Sequence, residues 1–588
     1  MTSLPLLLTL LLVTFTTAST YDYIVVGGGT AGVALSTRLS QYLPKSSILL
    51  IEAGQDGASE LGILIPGRKG TTLGTKLDWN FTTVPQEHLG NRVIGANRGK
   101  VLGGSSAINL LCWDRAAVSE YQAWEDVGNP GWGWKGMQAA MARAENYTTG
   151  PPGSGTKGPV RAVVNRHIPA HQERWVPAAE ALGFKENKDS LRGVPIGVST
   201  QPSSIDADGW TRSYSASAYL PLKGGNLDVL TGVEVVRVEL EKRGGKERAV
   251  GVVLGNGTVV GARREVVLSA GAFQTPVLLE LSGIGRAEVL KGAGIEQRIE
   301  LAGVGEGLQD HIRVQTSYQL REDFTSFDIL RYNATFAAEE LAKWQAGVPS
   351  TYDYTGSGFV FANWKQVVGD DSALVGLAKK AVGKSKDVGH KKKLEQLKDA
   401  QVPQVEVIFS DGYTGVKGYP AVGSALHGKG FFTLIAGLMH PLSSGSVHVD
   451  PTNPLGKPLI DPKYLDNEYD VQAMVELAKF GRRLALSEPL KSTWTSEYEP
   501  GLDKVQTDAE WREYVLNTTL SIFHPTGTAS MLPKKNGGVV DSELRVYGTA
   551  NLRVVDASVI PVQISAHIQT AVYGIAEKAA EIIASANH

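Results

Sequence analysis

The clearest periodic pattern lies near the amino end, where two apolar runs flank a glycine turn and a helical segment. Tyr23–Val26 is an apolar run typical of a buried strand. A helical spacing of apolar positions then extends from Val33 to Leu43. A second apolar run, Ile48–Ile51, ends at the acidic residue Glu52. This order predicts a strand, a turn, a helix and a second strand that ends in an acid.

The turn between the first strand and the helix has the glycine spacing of a phosphate-binding loop. Gly27 allows the tight turn, Gly29 lets the backbone approach a pyrophosphate, and Gly32 lets the helix pack close to the strand. The helix N-terminus would face the phosphates, and Glu52 would accept hydrogen bonds from ribose hydroxyls. The unit therefore predicts an ADP-containing dinucleotide, FAD or NAD. The alternative is a glycine turn that binds no ligand.

The rest of the chain shows two patterns of predicted strands and helices. Short buried strands and a hairpin around Asn256-Gly257 characterise residues 225–300, and a strand and an alanine-rich helix end the chain. Residues 300–534 mix strands with longer helices. The predicted elements are strands Leu227–Leu230, Val233–Leu240, Ala249–Leu254, Thr258–Val260, Glu265–Ser269, Val405–Ser410, Gly430–Ala436, Gly445–Val449 and Asn551–Asp556, and helices from Thr275-Pro276, Phe336–Ala346, Glu468–Leu486 and Ala571–Ala586.

These two patterns predict an α/β fold. The dinucleotide-binding domain would be Rossmann-like and discontinuous, because the end of the chain has the same pattern of strand and helix as its beginning. A second, substrate-binding domain would carry an antiparallel sheet backed by helices. The predicted boundaries are 21–60, 93–145, 225–300 and 535–588 for the first domain, and 61–92, 146–224 and 301–534 for the second. Residues 379–398 are rich in lysine, and a solvated helical face or an insertion explains them better than a binding patch.

Composition and charge limit the partners. The chain has 588 residues and a formal net charge of -2, so no electrostatic argument favours nucleic acid or an anionic membrane. Its single cysteine, Cys112, excludes an internal disulfide. Residues 1–18 resemble a secretory signal, with an apolar run from Leu6 to Phe15 followed by small residues. The alternatives are a short membrane anchor or a disordered tail.

Five glycosylation sequons agree with passage through a secretory compartment, and we therefore predict a protein that is secreted or lies in a secretory-pathway compartment, with no membrane contact after signal removal. The sequons begin at Asn80, Asn146, Asn256, Asn333 and Asn517.

Five further motifs follow the first glycine turn in order. They are the second glycine turn Gly99–Asn109, the turn and helix Gly271–Gly285, and the segments Gly305–His311, His524–Met531 and Val555–Pro561. Together the motifs resemble the glucose-methanol-choline family of FAD oxidoreductases from about residue 21 to 585. The pattern is closest to that of the fungal aryl-alcohol oxidases.

The resemblance implies FAD rather than NAD, bound in an extended pose. The ADP half would lie against the first turn and Val235, the flavin ring beside Asn109 and the residues after it, and the ribityl and pyrophosphate beside Asp556. Some family members attach FAD covalently through a histidine near the position of Asn109. This chain has an asparagine there, which implies a non-covalent cofactor. The predicted contacts are Gly27, Gly29, Thr30, Ala31, Gly32, Glu52, Ala53, Val101, Ser105, Asn109, Leu110, Leu111, Cys112, Val235, Asp556, Ala557 and Ile568.

The resemblance assigns the chemistry to His524 and His567. A primary alcohol is a very weak acid, so its oxidation needs a base that takes the hydroxyl proton while the carbon gives hydride to flavin N5. Histidine suits this role because its ordinary pKa lies near working pH. The resemblance makes His524 the base and His567 the group that orients the substrate oxygen, although family members are also described with the roles reversed. His311 is interpreted as structural, and no residue spacing indicates a metal site.

The substrate and electron acceptor stay open. Dioxygen, a quinone or another acceptor would reoxidise the flavin. An aromatic-rich stretch suggests an aromatic or hydrophobic alcohol, although an ordinary core explains it equally well. Besides an alcohol oxidase or dehydrogenase, the scaffold allows a secondary-metabolite enzyme, including a non-redox cyclase or dehydratase, or a flavin-binding protein without catalysis. The stretch comprises Phe324, Phe327, Tyr332, Phe336, Trp344, Tyr352, Tyr354, Phe359 and Phe361.

Overall fold

A computed structural model describes residues 19–383 and 385–586. The predicted signal segment, residues 1–18, lies outside the described residues. Numbered in chain order, the strands are β1 (Thr20–Val26), β2 (Ile48–Glu52), β3 (Glu145–Asn146), β4 (Val160–Arg161), β5 (Gly197–Thr200), β6 (Ile205–Asp206), β7 (Thr211–Arg212), β8 (Leu227–Thr231), β9 (Val235–Arg243), β10 (Lys246–Leu254), β11 (Val259–Leu268), β12 (Ile284–Gly285), β13 (Ile299–Glu300), β14 (Glu306–Leu308), β15 (Ile312–Leu320), β16 (Gly358–Ala362), β17 (Val405–Asp411), β18 (Phe431–Leu438), β19 (Gly445–His448), β20 (Leu459–Asp461), β21 (Trp494–Glu499), β22 (Leu520–Ser521) and β23 (Leu552–Val554).

The α-helices are α1 (Thr30–Tyr42), α2 (Leu61–Leu64), α3 (Ser105–Ile108), α4 (Val118–Asp126), α5 (Trp134–Ala144), α6 (Trp175–Ala181), α7 (Ser215–Tyr219), α8 (Gly271–Leu281), α9 (Ala287–Gly292), α10 (Ile329–Tyr332), α11 (Ala334–Gln345), α12 (Trp364–Val368), α13 (Ser372–Val382), α14 (Val388–Gln396), α15 (Glu468–Leu486), α16 (Asp508–Thr518) and α17 (Gln569–Ser585). None of the described helices combines the length and apolarity needed to span a bilayer.

The first sheet has seven strands in the order β8-β2-β1-β11-β10-β9, with β23 paired to β11. The pairs β8–β2, β2–β1, β1–β11 and β11–β23 are parallel, and β9 to β11 form an antiparallel meander. Strand β2 is buried throughout, and β1 is buried from Tyr23 to Val26. Helix α1 packs against both strands, and α17 packs in turn against α1 and α5. The last strand of the chain thus completes a sheet begun by the first.

The second sheet also has seven strands, ordered β21-β15-β18-β17-β16-β5, with β22 paired to β15. All its pairs are antiparallel. Helix α15 packs against β15 and β18 on one face, so the other face is left for the site described below. Together the two sheets confirm the predicted α/β class, with a Rossmann-like sheet and an antiparallel sheet backed by helices.

Helix α8 begins earlier than predicted, at Gly271 rather than at Thr275-Pro276, and Pro276 lies inside it. Proline lacks the N–H that would bond the carbonyl of Ala272, four residues back. The Thr528 hydroxyl donates to this carbonyl instead, at 2.7 Å. A residue far along the chain therefore satisfies the acceptor, and the helix continues through its proline.

One other local prediction was wrong. Thr258–Val260 and Glu265–Ser269 fall in one strand, β11, because the exposed residues Arg263 and Arg264 interrupt the apolar pattern and shift the register with β1 without ending the strand.

The lysine-rich stretch is largely helical and solvated, as predicted, with Lys379, Lys380, Lys391 and Lys398 exposed. Lys393 is an exception: it is buried on α14, and its Nζ donates to the carbonyl of Pro441 at 2.6 Å. The backbone carbonyl compensates in part for the burial of the ammonium group, which lowers the pKa of Lys393 to about 8.

We expect Thr528→Val to lower the free energy of unfolding by about 1–3 kcal/mol, because it leaves the Ala272 carbonyl buried without a donor. Thr528→Ser keeps the hydroxyl and serves as the matched control. Urea unfolding of the purified proteins measures the difference. Equal stabilities of the valine variant and the unsubstituted protein would contradict this account of the proline-containing helix.

Candidate active site

A cavity of about 470 Å³ lies between the two sheets. On one side it is lined by Val26 and Ile51, at the carboxyl ends of the parallel strands β1 and β2. On the other side it is lined by Ile408 of β17 and Ile435 of β18. Ligands of open parallel sheets bind at this edge, beyond the carboxyl ends of the strands.

Glycine lets two loops meet at the first end of the cavity. A Cβ on Gly104 would lie 2.6 Å from the Cα of Gly29, and a Cβ on Gly27 would lie 2.5 Å from the carbonyl oxygen of Ser269. Gly104 has a φ of +52° and Gly27 of +99°, conformations that favour glycine. No side chain caps the N-terminus of α1, so its first amides point unobstructed toward this end. This arrangement fits a diphosphate.

Glu52 lines the same end, and its carboxylate is held by two backbone amides. Gly28 N–H donates to Oε2 and Gly54 N–H to Oε1, each at 2.7 Å. Burial nevertheless raises the pKa of Glu52 to about 7. Each oxygen keeps a lone pair that can accept a ribose hydroxyl, so the residue fits the predicted role in dinucleotide binding.

Most of the predicted cofactor residues line this cavity. Asp556 also supports it from behind, since one carboxylate oxygen accepts Gly271 N–H at 2.9 Å and the Thr275 hydroxyl at 2.6 Å. The predicted residues that line the cavity are Gly27, Gly29, Thr30, Ala31, Glu52, Ala53, Ser105, Asn109, Leu110, Cys112, Val235, Asp556, Ala557 and Ile568, together with His524 and His567.

Three predicted contacts lie outside the cavity lining. Gly32 packs on the glycine turn, where a Cβ would lie 1.9 Å from the carbonyl oxygen of Gly27. Val101 belongs to the core of the first sheet. Leu111 has a φ of +65°, which turns its side chain toward Ile205 and Trp210 instead of the cavity.

His567 precedes α17 and is fixed by acidic residues from the segment after the second glycine turn. Its backbone N–H donates to Asp114 Oδ1 at 2.9 Å, and its Nδ1 lies 2.7 Å from Asp114 Oδ2. Glu120 holds the neighbouring Ser565 through its backbone N–H at 2.6 Å. Two carboxylates therefore determine the orientation of this imidazole.

His524 follows β22 and is held from the side of the second sheet. Phe523 before it has a φ of +66°, a strained conformation of the kind found at functional sites. The His524 N–H donates to Asp310 Oδ1 at 2.8 Å, and its Nδ1 lies 2.9 Å from His311 Nδ1. His311 is thus more than a structural part of its turn, because it contacts the candidate catalytic ring directly.

The two candidate rings are perpendicular neighbours. The centroids of His524 and His567 lie 4.8 Å apart, with an interplanar angle of 85°. Each ring uses Nδ1 for a hydrogen bond, and neither Nε2 bonds any of the described protein atoms. Both residues line the cavity, so both Nε2 atoms are available to a substrate.

The pKa values of the two rings are shifted in opposite directions. Burial holds the pKa of His524 well below its ordinary value, and the neighbouring His567 and His311 lower it further. Burial acts on His567 in the same sense, but the Cys112 sulfur, Glu406 and Asp114 together raise its pKa well above the ordinary value. Two interacting groups with opposed shifts provide a base and an acid at the same pH.

Glu406 of β17 is a third acid in this environment. Its Oε1 lies 3.5 Å from His567 Nδ1, and neither carboxylate oxygen has a hydrogen-bond partner among the described residues. Burial raises the pKa of Glu406 to about 7. One ligand atom each from Asp114, Glu406 and His567 lie within 4.8 Å of one another, close enough to share a metal ion. Because His567 Nδ1 is already used by Asp114, we interpret the group as a charge network.

The sequence-based interpretation did not identify Asp114 or Glu406, and it underestimated His311. An acid inside the apolar run Val405–Ser410 was the available signal for Glu406.

The aromatic-rich stretch provides little of the cavity wall: none of its nine residues lines the cavity, although the ring of Phe359 lies 5.8 Å from that of His567. The wall is instead formed by residues such as Ile408 and Phe523.

A dinucleotide cleft that ends at two imidazoles of opposed pKa defines a flavin-dependent oxidoreductase acting on alcohols. The chain belongs to the GMC oxidoreductase family, whose two sequence profiles match residues 21–313 and 441–576. It is therefore an FAD-dependent alcohol oxidoreductase, as the motif resemblance predicted.

Similar proteins agree with this assignment over nearly the whole chain. The GMC oxidoreductase family protein Mala s 12 of Malassezia sympodialis is 34% identical, over 96% of this chain and 92% of its own length. The solved structure of an FAD-dependent oxidoreductase from Chaetomium thermophilum is 28% identical, with a TM-score of 0.86, covering 96% of this chain and 99% of its own. That of a fungal aryl-alcohol oxidase is 27% identical, with a TM-score of 0.82 and the same coverage.

We expect Gly104→Ala to weaken FAD binding at least about tenfold, or ~1.4 kcal/mol, because its Cβ would displace the Gly29 turn. Gly257→Ala is the matched control: Gly257 also has a positive φ, of +82°, but its Cβ would meet no atom within 4 Å. The ratio of flavin to protein absorbance measures binding. Normal flavin content in the Gly104 variant would show that the close approach is not required.

Proposed function

We propose that this protein oxidises a primary alcohol, with an aromatic alcohol as the favoured substrate, using non-covalently bound FAD. The observation that carries the proposal is the pair of perpendicular imidazoles whose pKa values are shifted in opposite directions. At neutral pH, His524 is neutral and His567 is protonated. The site then offers a lone pair and a hydrogen-bond donor to one substrate oxygen.

His524 Nε2 accepts the hydroxyl proton in this proposal. The Nδ1 atoms of His524 and His311 share one hydrogen bond, so one of them donates and the other accepts. When His524 Nδ1 donates, its Nε2 carries the lone pair that a base needs. His311 is then a positioning residue, because it fixes the tautomer of the base.

His567 Nε2 donates a hydrogen bond to the substrate oxygen and stabilises the negative charge that develops as the proton leaves. Asp114 accepts from Nδ1 and holds the ring in place. Bound FAD would supply the two-electron acceptor for the hydride of the carbinol carbon. Loss of the hydroxyl proton to His524 and of the hydride to that acceptor would convert the alcohol to the aldehyde.

The cavity near the two histidines supports an apolar substrate. Ile408, Ile435 and Ile522 line it there, and Phe359 packs beside them. Such a wall binds an aromatic or aliphatic body in preference to a sugar. The name of the aryl-alcohol oxidase among the structural relatives supports the same substrate class.

Non-covalent attachment is supported by the environment of Asn109. Its amide nitrogen donates to Gln569 Oε1 at 3.0 Å, and its amide oxygen accepts from Arg212 at 2.7 Å. An amide is also not a nucleophile that could bond the flavin. Secretion is supported by the pattern of residues 1–18 and by the sequon asparagines Asn80, Asn256, Asn333 and Asn517, which are exposed.

We expect His524→Ala to retain bound FAD and to slow anaerobic flavin reduction by benzyl alcohols about a hundredfold or more, because the base is lost. His88→Ala, at an exposed histidine, is the control. Stopped-flow bleaching of the visible flavin band measures the rate. Reduction at the unsubstituted rate would remove His524 from the mechanism, and product formed without any redox change of the flavin would favour a non-redox enzyme.

We expect Glu406→Gln to shift the alkaline limb of kcat/KM to lower pH by about one unit, because one of the charges that keep His567 protonated is removed. The sign follows from the raised pKa of His567, which falls toward its ordinary value when the carboxylate is absent. Glu395→Gln, at an exposed acid, should leave the profile unchanged. An unmoved alkaline limb in the Glu406 variant would contradict the role of this carboxylate.

A further inference from the structure

Three cross-strand layers lie on the cavity side of the second sheet, and the second and third of them line the cavity. On β17, alternate residues Glu406, Ile408 and Ser410 point to one face, because successive side chains of a strand alternate. The register of the sheet places Gly437 beside Glu406, and Phe359 and Ile435 beside Ile408.

The chemistry changes from one layer to the next. The first layer, at Glu406, is next to His567. The second layer is apolar, and Cys112 packs against it. The third layer, at Ser410, is polar: its hydroxyl makes no hydrogen bond with the described residues, and it lines the cavity together with Thr414. The cavity therefore runs from the catalytic pair past an apolar wall to a second polar end.

Lys69 lies at this second polar end. It lines the cavity beside Gly356, where a Cβ would be 3.4 Å from the Lys69 Nζ. That same Cβ would be 3.6 Å from the carbonyl oxygen of Phe409, which precedes Ser410, so the ammonium group is level with the third layer. Its Nζ lies 4.8 Å from the centre of the Tyr354 ring.

The ammonium group of Lys69 makes no ion pair or hydrogen bond with the described residues. The charge of Asp411 raises the pKa of Lys69, but both carboxylate oxygens of Asp411 already have partners. One oxygen contacts His171 Nε2 at 3.0 Å, and the other accepts Phe327 N–H at 3.0 Å. A cation that faces a cavity and has no carboxylate of its own is a ready partner for an anionic ligand group.

We propose that Lys69 recognises a carboxylate on the substrate, so that the preferred alcohol carries its CH2OH group and an anionic group at opposite ends of an apolar body. This inference rests on the proposed function and adds the substrate class. The body would lie along Ile408 and Ile435. Four residues of strand separate the first and third layers, about 13 Å between Cα atoms, so the two groups would be on the order of 10 Å apart.

A carboxylate fits better than a neutral acceptor because burial disfavours the lone ammonium charge, and a bound anion relieves this cost. Burial lowers the pKa of Lys69 to about 8, although Cys112 and Asp411 act in the opposite direction; Arg212 lowers it further. The preference for an anionic substrate should therefore fade as pH rises through about 8, when the free enzyme loses this charge.

The test compares two substrates in three proteins. The substrates are 4'-(hydroxymethyl)biphenyl-4-carboxylate and its neutral carboxamide, and the proteins are the unsubstituted holoenzyme, Lys69→Met and Lys69→Arg. Methionine has a similar shape without charge, whereas arginine keeps the charge. The readout is the ratio of kcat/KM for the acid to that for the amide, measured from pH 6 to 10.

We expect the unsubstituted enzyme to favour the acid about tenfold or more at pH 7, and this preference to disappear in Lys69→Met. Lys69→Arg should keep the preference and hold it above pH 8, where the unsubstituted enzyme loses it. Equal ratios in the unsubstituted enzyme and Lys69→Met would overturn the proposal, even if both oxidise alcohols normally.

A binding measurement separates failure of this proposal from failure of the proposed function. Biphenyl-4-carboxylate has no CH2OH group, and calorimetric titration into the FAD-loaded proteins reports its affinity without turnover. We expect at least about tenfold weaker binding to Lys69→Met than to Lys69→Arg. If no alcohol is oxidised but this difference is found, the proposed function fails and the carboxylate site stands. Equal affinities would overturn the carboxylate site.

Discussion

Two imidazoles with centroids 4.8 Å apart cannot both be doubly protonated, and so positively charged, in a buried cavity. This mutual exclusion is the constraint on which the rest of the site depends. It leaves one positive charge for the pair, and the surrounding residues decide which ring carries it. Asp114 and Glu406 stabilise the charge on His567, whereas His524 has another imidazole, His311, as its nearest polar neighbour.

The fold brings these groups together from distant parts of the chain. Asp114, in the segment between α3 and α4, positions His567, and Asp310, just before β15 of the second sheet, positions His524. The glycine turns lie at the same cavity, so the dinucleotide and the catalytic pair share one space. Each ring is therefore held by a different segment of the chain, and the catalytic pair lies in the cavity between the two sheets.

The class of fold could be predicted because strong periodicity marks buried strands and amphipathic helices, and α15 has the predicted bounds. Predicted element boundaries were wrong where tertiary contacts override local preference. Helix α8 is an example, because Thr528 allows it to continue through Pro276. Lys393 was wrongly placed on a solvated face because its partner is a backbone carbonyl, which leaves no sequence pattern.

The candidate site was predictable only where a motif contains it. His524 and His567 lie in recognisable segments. Asp114 and Glu406 belong to the site only because the fold brings them next to His567, which is remote from both in sequence. The orientation of Leu111 depended on one backbone angle, which no side-chain pattern reveals. Lys69 was missed for a similar reason, since a lone lysine in a loop is usually solvated.

The central claim is the difference in protonation between the two rings, and neutron diffraction from a crystal of the FAD-loaded protein exchanged into heavy water tests it most directly. At neutral pH the account predicts deuterium on both nitrogens of His567, and on Nδ1 but not on Nε2 of His524. Deuterium on Nε2 of His524, or a singly protonated His567, would contradict it.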